Sequence, residues 1–177
     1  RAMGVATATD LRDYFRLPLA DALVTRLRDT ILVIESADCY PVLLEDSAAG
    51  VIAAAHCGWR GTAGRLLERV LEAMQDAGAE IKQIRAALGP GICAEQYVVG
   101  ADVIVRFAQA DFPQQTYMAS SGELSRSGIE QYNVDLSAAN RWLLESSHTA
   151  LAVLRLPDVD LAATIAAITA RPGGCGA

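Results

Sequence analysis

Cys39, His56 and Arg60 are the side chains whose types and spacing could do chemistry. Cysteine and histidine are the side chains that best bind borderline or soft transition metals, and a thiolate with imidazole suits zinc or copper, not magnesium or calcium. A catalytic zinc site normally has three protein ligands and one open position, so this pair needs a further ligand from elsewhere. His148, the other of the chain's 2 histidines, is one candidate. Arg60 lies in the stretch Cys57-Gly58-Trp59-Arg60-Gly61-Thr62, read as a turn directly before a helix. There its guanidinium, Gly61 and the free backbone N–H groups of the turn would converge on an anion, most naturally phosphate or sulfate. A metal-free alternative uses the same pair, with Cys39 as an attacking thiolate and His56 as its base. The plainer readings are a hydrogen-bonded strand-end histidine, a small buried cysteine and a solvated arginine. Cys57 adjoins His56 but should point the opposite way, which makes it structural. Trp59 reads as core or pocket wall.

The elements that must position these residues follow from the apolar pattern. Ile31-Leu32-Val33-Ile34 is short, apolar and partly β-branched, which predicts a buried strand. Pro41-Val42-Leu43-Leu44, the polar and small stretch Glu45 to Gly50, and Val51 to Ala55 predict a hairpin. Cys39 would then stand just before the first arm and His56 just after the second, at the same end of the sheet. Leu66, Leu67, Val70, Leu71 and Met74 recur at helical spacing up to Gly78. A strand is expected near Ile81 to Leu88, a second helix around Val99, Val103 and Phe107, and a third starting near Asn133 or Asp135. Leu161 to Ala170 suggests a fourth. Residues 1–18 read as a weakly specified lead-in with a short helix around Asp10 to Phe15, the region from Phe112 to Gly128 as a polar excursion, and residues 171–177 as a mobile tail. The mixture predicts a layered α+β fold, a mixed β-sheet with flanking helices, in a single domain spanning residues 1–177.

Bulk properties narrow the function classes. At 177 residues and 52% hydrophobic, the chain suits one domain with a sizeable core. A net charge of -6 gives little support to wholesale binding of a nucleic-acid backbone. No apolar run approaches the roughly 20 residues of a membrane span, and Arg1 to Asp10 lacks a signal peptide's layout. A soluble, cytoplasmic protein is the expectation, as a monomer or homodimer. A first residue of Arg instead of Met is what a sequence beginning inside a longer chain would show. The 4 cysteines lack the dense spacing of a disulfide scaffold and are expected to be reduced.

Two ordered blocks are specific enough to compare. Ser36-Ala37-Asp38-Cys39-Tyr40-Pro41-Val42-Leu43-Leu44 followed by Ala54-Ala55-His56-Cys57-Gly58-Trp59-Arg60-Gly61 resembles the laccase-domain family, also called the multicopper polyphenol oxidoreductase or bacterial purine nucleoside phosphorylase family. Further agreement lies in Ala20 to Thr25, Leu88-Gly89-Pro90 with Gln96-Tyr97 and Val99-Gly100, and Val134-Asp135-Leu136 with Asn140-Arg141. The resemblance runs over residues 20–145 and implies a laccase-domain-like fold. It also implies a metal site of two histidines and one cysteine, of which Cys39 and His56 are matched. The first family histidine has Met3 as its nearest counterpart, where a thioether would favour copper(I) over zinc. After Ser146 the family's Cys-Thr segment and aromatic, Arg-rich ending are absent, and Val98 stands where the family usually has Glu.

The resemblance implies two reaction classes. One is phosphorolysis of purine nucleosides such as adenosine and inosine, with adenosine deamination, at a zinc-associated site where Arg60 grips phosphate. The other is copper-dependent oxidation of phenols. Four-electron reduction of oxygen needs several copper ions held by many histidines, so His56 and His148 favour the first. Phosphorolysis needs a phosphate held in line with the C1′ carbon and stabilisation of the departing base, and deamination suits zinc-activated water. A non-catalytic relative that binds only a metal or a partner is the remaining reading.

Overall fold

The hairpin around Glu45 to Gly50 is the spine of the fold. In the computed structural model, which describes residues 5–8, 20–124, 130–147 and 152–155, it consists of β3 (Tyr40–Asp46) and β4 (Val51–Cys57). The two strands pair antiparallel from Tyr40↔Cys57 to Asp46↔Val51. Alternation explains the register: Tyr40, Val42, Leu44, Val51, Ala53, Ala55 and Cys57 all turn to one buried face. Gly50 closes the turn at φ 66, a conformation that costs a side-chain-bearing residue strain. Asp46 anchors the turn from inside. It is 1% exposed, and one carboxylate oxygen accepts the Ala48 and Ala49 amides, each at 3.0 Å, while the other accepts the Glu80 amide at 2.8 Å.

These backbone donors, those of Ala49 and Glu80 first, hold the Asp46 carboxyl below its ordinary value of 3.8. Because the folded value is the lower one, the stabilisation is complete above 3.8 and is lost as the pH falls through the folded value. Asp46→Asn turns an amide donor on one of these N–H groups and should cost about 2 kcal/mol at neutral pH. Urea titration across pH checks this: the gap between the two proteins should shrink in acid.

Among the described residues, the larger sheet has the order β1-β2-β4-β3-β5-β9, with β1 (Val5–Ala8), β2 (Ala22–Thr25), β5 (Arg85–Leu88) and β9 (Ala152–Arg155). Strands β1 with β2 and β5 with β9 pair parallel, and the central pairs are antiparallel. The buried face is covered by α2 (Leu66–Asp76), whose Leu66, Leu67, Val70, Leu71 and Met74 are each at most 2% exposed. Each such side chain contributes roughly 1.5–3 kcal/mol by leaving water. A second sheet, β6-β8-β7, combines β6 (Val98–Gly100), β7 (Met118–Leu124) and β8 (Glu130–Val134). Phe107 from α3 (Ala101–Gln109) stacks on Tyr117 and meets Phe112 edge-on, and Phe112 in turn contacts Trp142 of α4 (Leu136–Ser147). The fold is thus α+β, two sheets with flanking helices.

Four expectations are corrected. Val99, expected in the second helix, lies in β6, and α3 begins only after the extended Gly100. Ile31 to Ile34 forms no strand, and Ile31 and Val33 are 87% and 67% exposed. The free edge of β4 is taken by β2, in register from Ala22↔Ala55 to Thr25↔Ile52, and that of β3 by β5, so no position beside the hairpin remains for the segment. Within the lead-in, Val5–Ala8 is a sheet strand. The polar excursion contains β7, with a single turn of 3-10 helix at Gln114–Thr116 before it. The expected helices near Asp10 to Phe15 and Leu161 to Ala170 lie outside the described residues. So do the tail, Met3, His148 and Cys175.

Candidate functional site

The end of the hairpin opposite its turn is where Cys39 and His56 meet. His56 lies within β4, opposite Pro41, and turns to the face away from the core, while its neighbour Cys57 is fully buried. The His56 backbone amide donates to the Asp21 carbonyl at 2.8 Å, which fixes this end of β4 against the start of β2. Its ring Nδ1 lies 3.0 Å from the Glu35 carbonyl oxygen. A carbonyl only accepts, so Nδ1 is the donor here, and in the neutral ring this leaves the lone pair on Nε2. Cys39 stands one residue before β3, on a bend where the Ser36 hydroxyl donates to the Cys39 carbonyl. Burial and the neighbouring Asp38 carboxylate push the Cys39 thiol up, so the bare side chain is held as the thiol.

Gly58 shows how closely these groups converge. A Cβ placed on it would stand 2.7 Å from Cys39 Sγ and 3.9 Å from His56 Nε2. One point therefore borders both a sulfur and the ring nitrogen of His56 that does not face Glu35, and the chain keeps that point free of a side chain. This cradle fits the donor set of zinc or copper. Among the described residues no group of three or more His, Cys, Asp and Glu side chains converges, so these residues supply two donors. Cys57 is excluded from the set: burial, with Cys39 and Asp21 nearby, keeps it strongly protonated inside the core.

The loop after β5 forms one wall. The Gly89 amide donates to the Pro41 carbonyl at 2.8 Å and the Ile92 amide to Asp38 at 2.9 Å, while the Tyr40 hydroxyl donates to Ile92 at 3.0 Å. Gly91 is needed here, since a Cβ on it would stand 2.7 Å from the Tyr40 ring. Asn133 of β8 clamps the next turn by donating to the Ala94 and Glu95 carbonyls at 2.9 and 3.0 Å. This brings in Tyr97, whose phenol is pushed up by burial and by Cys39, with Arg60 acting in the opposite direction and Asp38 in the same one. Tyr97 is thus within electrostatic reach of the site, a placement that no sequence spacing signalled.

Arg60 and Gly61 are separated. Residues Trp59–Ala63 form the short helix α1, so Arg60 sits inside a helix and not in a turn before it. The Arg60 guanidinium lies 4.2 Å from the centroid of the Trp59 ring and is exposed. Gly61 is buried, with its Cβ position 3.4 Å from both the His56 carbonyl oxygen and Leu66. Arg60 therefore presents an exposed guanidinium from α1, and Gly61 lets α1 approach β4.

Residues 2–152 match the family described as multi-copper polyphenol oxidoreductase laccase. The chain belongs to this family. Within the laccase family it is 48% identical over 127 residues to a purine nucleoside phosphorylase of Deinococcus radiodurans, covering 72% of this chain and 47% of that protein. It is 40% identical over 124 residues to the adenosine deaminase RL5 of an unknown prokaryotic organism, covering 70% and 45%. The chain spans about half the length of these two relatives. Among solved structures, protein NMB0706 of Neisseria meningitidis is similar with a TM-score of 0.68 and 29% identity, over 86% of this chain and 63% of that one. YlmD of Geobacillus stearothermophilus gives 0.67 and 26%, over 85% and 58%. The laccase family match spans both arms of the hairpin and the loop after β5. Among the described residues no helix is long and apolar enough to cross a membrane.

Proposed function

We propose that the chain is a metal-dependent purine nucleoside phosphorylase that cleaves inosine and adenosine with phosphate and also deaminates adenosine. The observation that carries this reading is the convergence of Cys39 Sγ and His56 Nε2 on the side-chain-free position of Gly58. The names of the two relatives at 48% and 40% identity support the substrate class. Cys39 as thiolate and His56 through Nε2 would hold the ion, zinc in this reading and copper in the alternative. The ion supplies Lewis-acid polarisation and water activation when bound. Glu35, through its carbonyl, keeps the His56 ring turned and in the right tautomer, a second partner of the kind metal-ligating histidines use. Arg60 draws phosphate toward the site, and the Trp59 face restricts where its planar fork can point. The elevated thiol of Cys39 disfavours the metal-free nucleophile, which needs a thiolate near neutral pH.

Arg60→Ala should raise KM for phosphate about tenfold or more, the worth of a charge-assisted hydrogen bond, and leave KM for the nucleoside nearly unchanged. Initial rates over a grid of phosphate and inosine concentrations check it. An equal rise in both constants would remove Arg60 from the phosphate site. The same donor pair suits copper, and the family's description favours phenol oxidation as the second reading. The deciding experiment combines metal analysis of the purified protein with hypoxanthine release from inosine, with and without phosphate. Phosphate-dependent release supports the phosphorylase. Phenol oxidation that requires added copper and vanishes in His56→Ala, without base release, would overturn it. Neither activity and no stoichiometric metal would mark a non-catalytic relative.

A further inference from the structure

A buried polar chain links α4 to the turn that carries Gly58. Asn140 and Thr62 are both 0% exposed, and their hydrogen bonds account for that burial. The Asn140 side-chain amide donates to the Leu136 carbonyl at 2.8 Å, which leaves its Oδ1 as an acceptor. The Thr62 hydroxyl stands 3.1 Å from that oxygen and 3.0 Å from the Gly58 carbonyl, so its one proton is shared between two acceptors. The Thr62 amide also donates to the Gly58 carbonyl, at 2.9 Å. No side chain caps α1, and with five residues the helix has little stability of its own. The position of Gly58 therefore depends on what grips its carbonyl. The Gly58 Cβ position lies 2.7 Å from Cys39 Sγ, so even a small displacement of this turn changes the space at the sulfur.

We propose that Asn140 and Thr62 are positioning residues, which act through the Gly58 carbonyl to hold the α1 turn against Cys39 and so set the geometry of the Cys39 and His56 pair. Neither residue touches a reacting group. The network crosses 78 residues of sequence between Thr62 and Asn140, joining a helix far along the chain to the end of the hairpin. Shared-proton networks in a dry interior are stiff when every member is satisfied and loosen when one is removed. Loosening here would act at Cys39 before it acts anywhere else.

The test is site-resolved alkylation of the purified protein by iodoacetamide, followed by mass spectrometry, with no substrate added. Cys93 is exposed and serves as the reactivity reference, and Cys57, fully buried, reports global unfolding. Thr62→Val keeps the side-chain shape and removes the hydroxyl. It should raise the Cys39 rate by about fivefold or more while Cys57 stays protected and Cys93 stays within about twofold, the pattern of local opening. Thr62→Ser, which restores the hydroxyl, should return Cys39 to within about twofold of the native rate. Asn140→Leu keeps the branched outline of the side chain, removes its polar atoms and favours the helix, and shows the same direction of change should Thr62→Val fail to fold. An unchanged Cys39 rate in a folded variant, or a rise that only tracks Cys57, would overturn the proposal. Absence of phosphorolysis would not bear on it, because alkylation is read without any reaction at the site.

Discussion

Cys39→Ala should reduce phosphate-dependent base release from inosine by about three orders of magnitude in kcat/KM. The expectation follows from the proposed role. Loss of the thiolate removes one of the two described donors, and Lewis-acid stabilisation is worth several kcal/mol, each 1.36 kcal/mol being a factor of ten. Stability should hardly change, since Cys39 is half-buried, precedes β3 and contributes no hydrophobic anchor to the core. The variant should therefore melt near the native temperature while losing both metal and activity. Stopped-time assays for hypoxanthine, metal content by mass spectrometry and a thermal melt on the same preparation separate these effects. A loss of activity that accompanied unfolding would say nothing about the donor.

The second large effect belongs to a residue with no chemistry of its own. Gly58→Ala adds one methyl group, and the backbone there, at φ -78 and ψ 172, accepts alanine without strain. All of the effect must then come from space. The new Cβ would stand 2.7 Å from Cys39 Sγ, closer than nonbonded atoms approach, so the sulfur or the turn has to move. Misplacement by about 1 Å at a reacting centre costs on the order of a hundredfold in rate. Gly50→Ala is the matched control. Its Cβ meets nothing within 4 Å, but φ is +66, so it should cost about 1–2 kcal/mol of stability with activity retained. Opposite outcomes, with Gly50→Ala inactive and Gly58→Ala normal, would place the chemistry elsewhere.

The hairpin was legible because its alternation and its polar turn agree, and two residues at its far end followed from that alone. The helix over Leu66–Asp76 was legible for the same reason, its apolar positions repeating at 3.6. Ile31 to Ile34 misled because local apolarity does not say whether a sheet edge is free, and β2 and β5 had filled both edges of the hairpin. Val5–Ala8 and β7 were missed since small and polar residues carry little strand signal. Within the site, Gly58, Thr62, Asn140 and Tyr97 were invisible as a group. Their relation lies in interactions across the fold, such as the Thr62 to Asn140 hydrogen bond and the electrostatic influence of Cys39 on Tyr97, and single-chain spacing does not encode these. The expectation that Arg60 and Gly61 act together failed to foresee that consecutive residues of a short helix turn to different sides, one outward and one under β4.

Phosphorus NMR of inosine mixed with inorganic phosphate puts the central claim to its most direct test, because it reads the bond that phosphorolysis forms. With the native protein, a sugar 1-phosphate signal should grow as the inorganic phosphate signal falls, at a one-to-one ratio with free base. With Cys39→Ala, folded and at equal concentration, neither signal should change over the same time. Equal formation of sugar phosphate by both proteins would contradict the assignment of Cys39 and His56 as the site of the reaction.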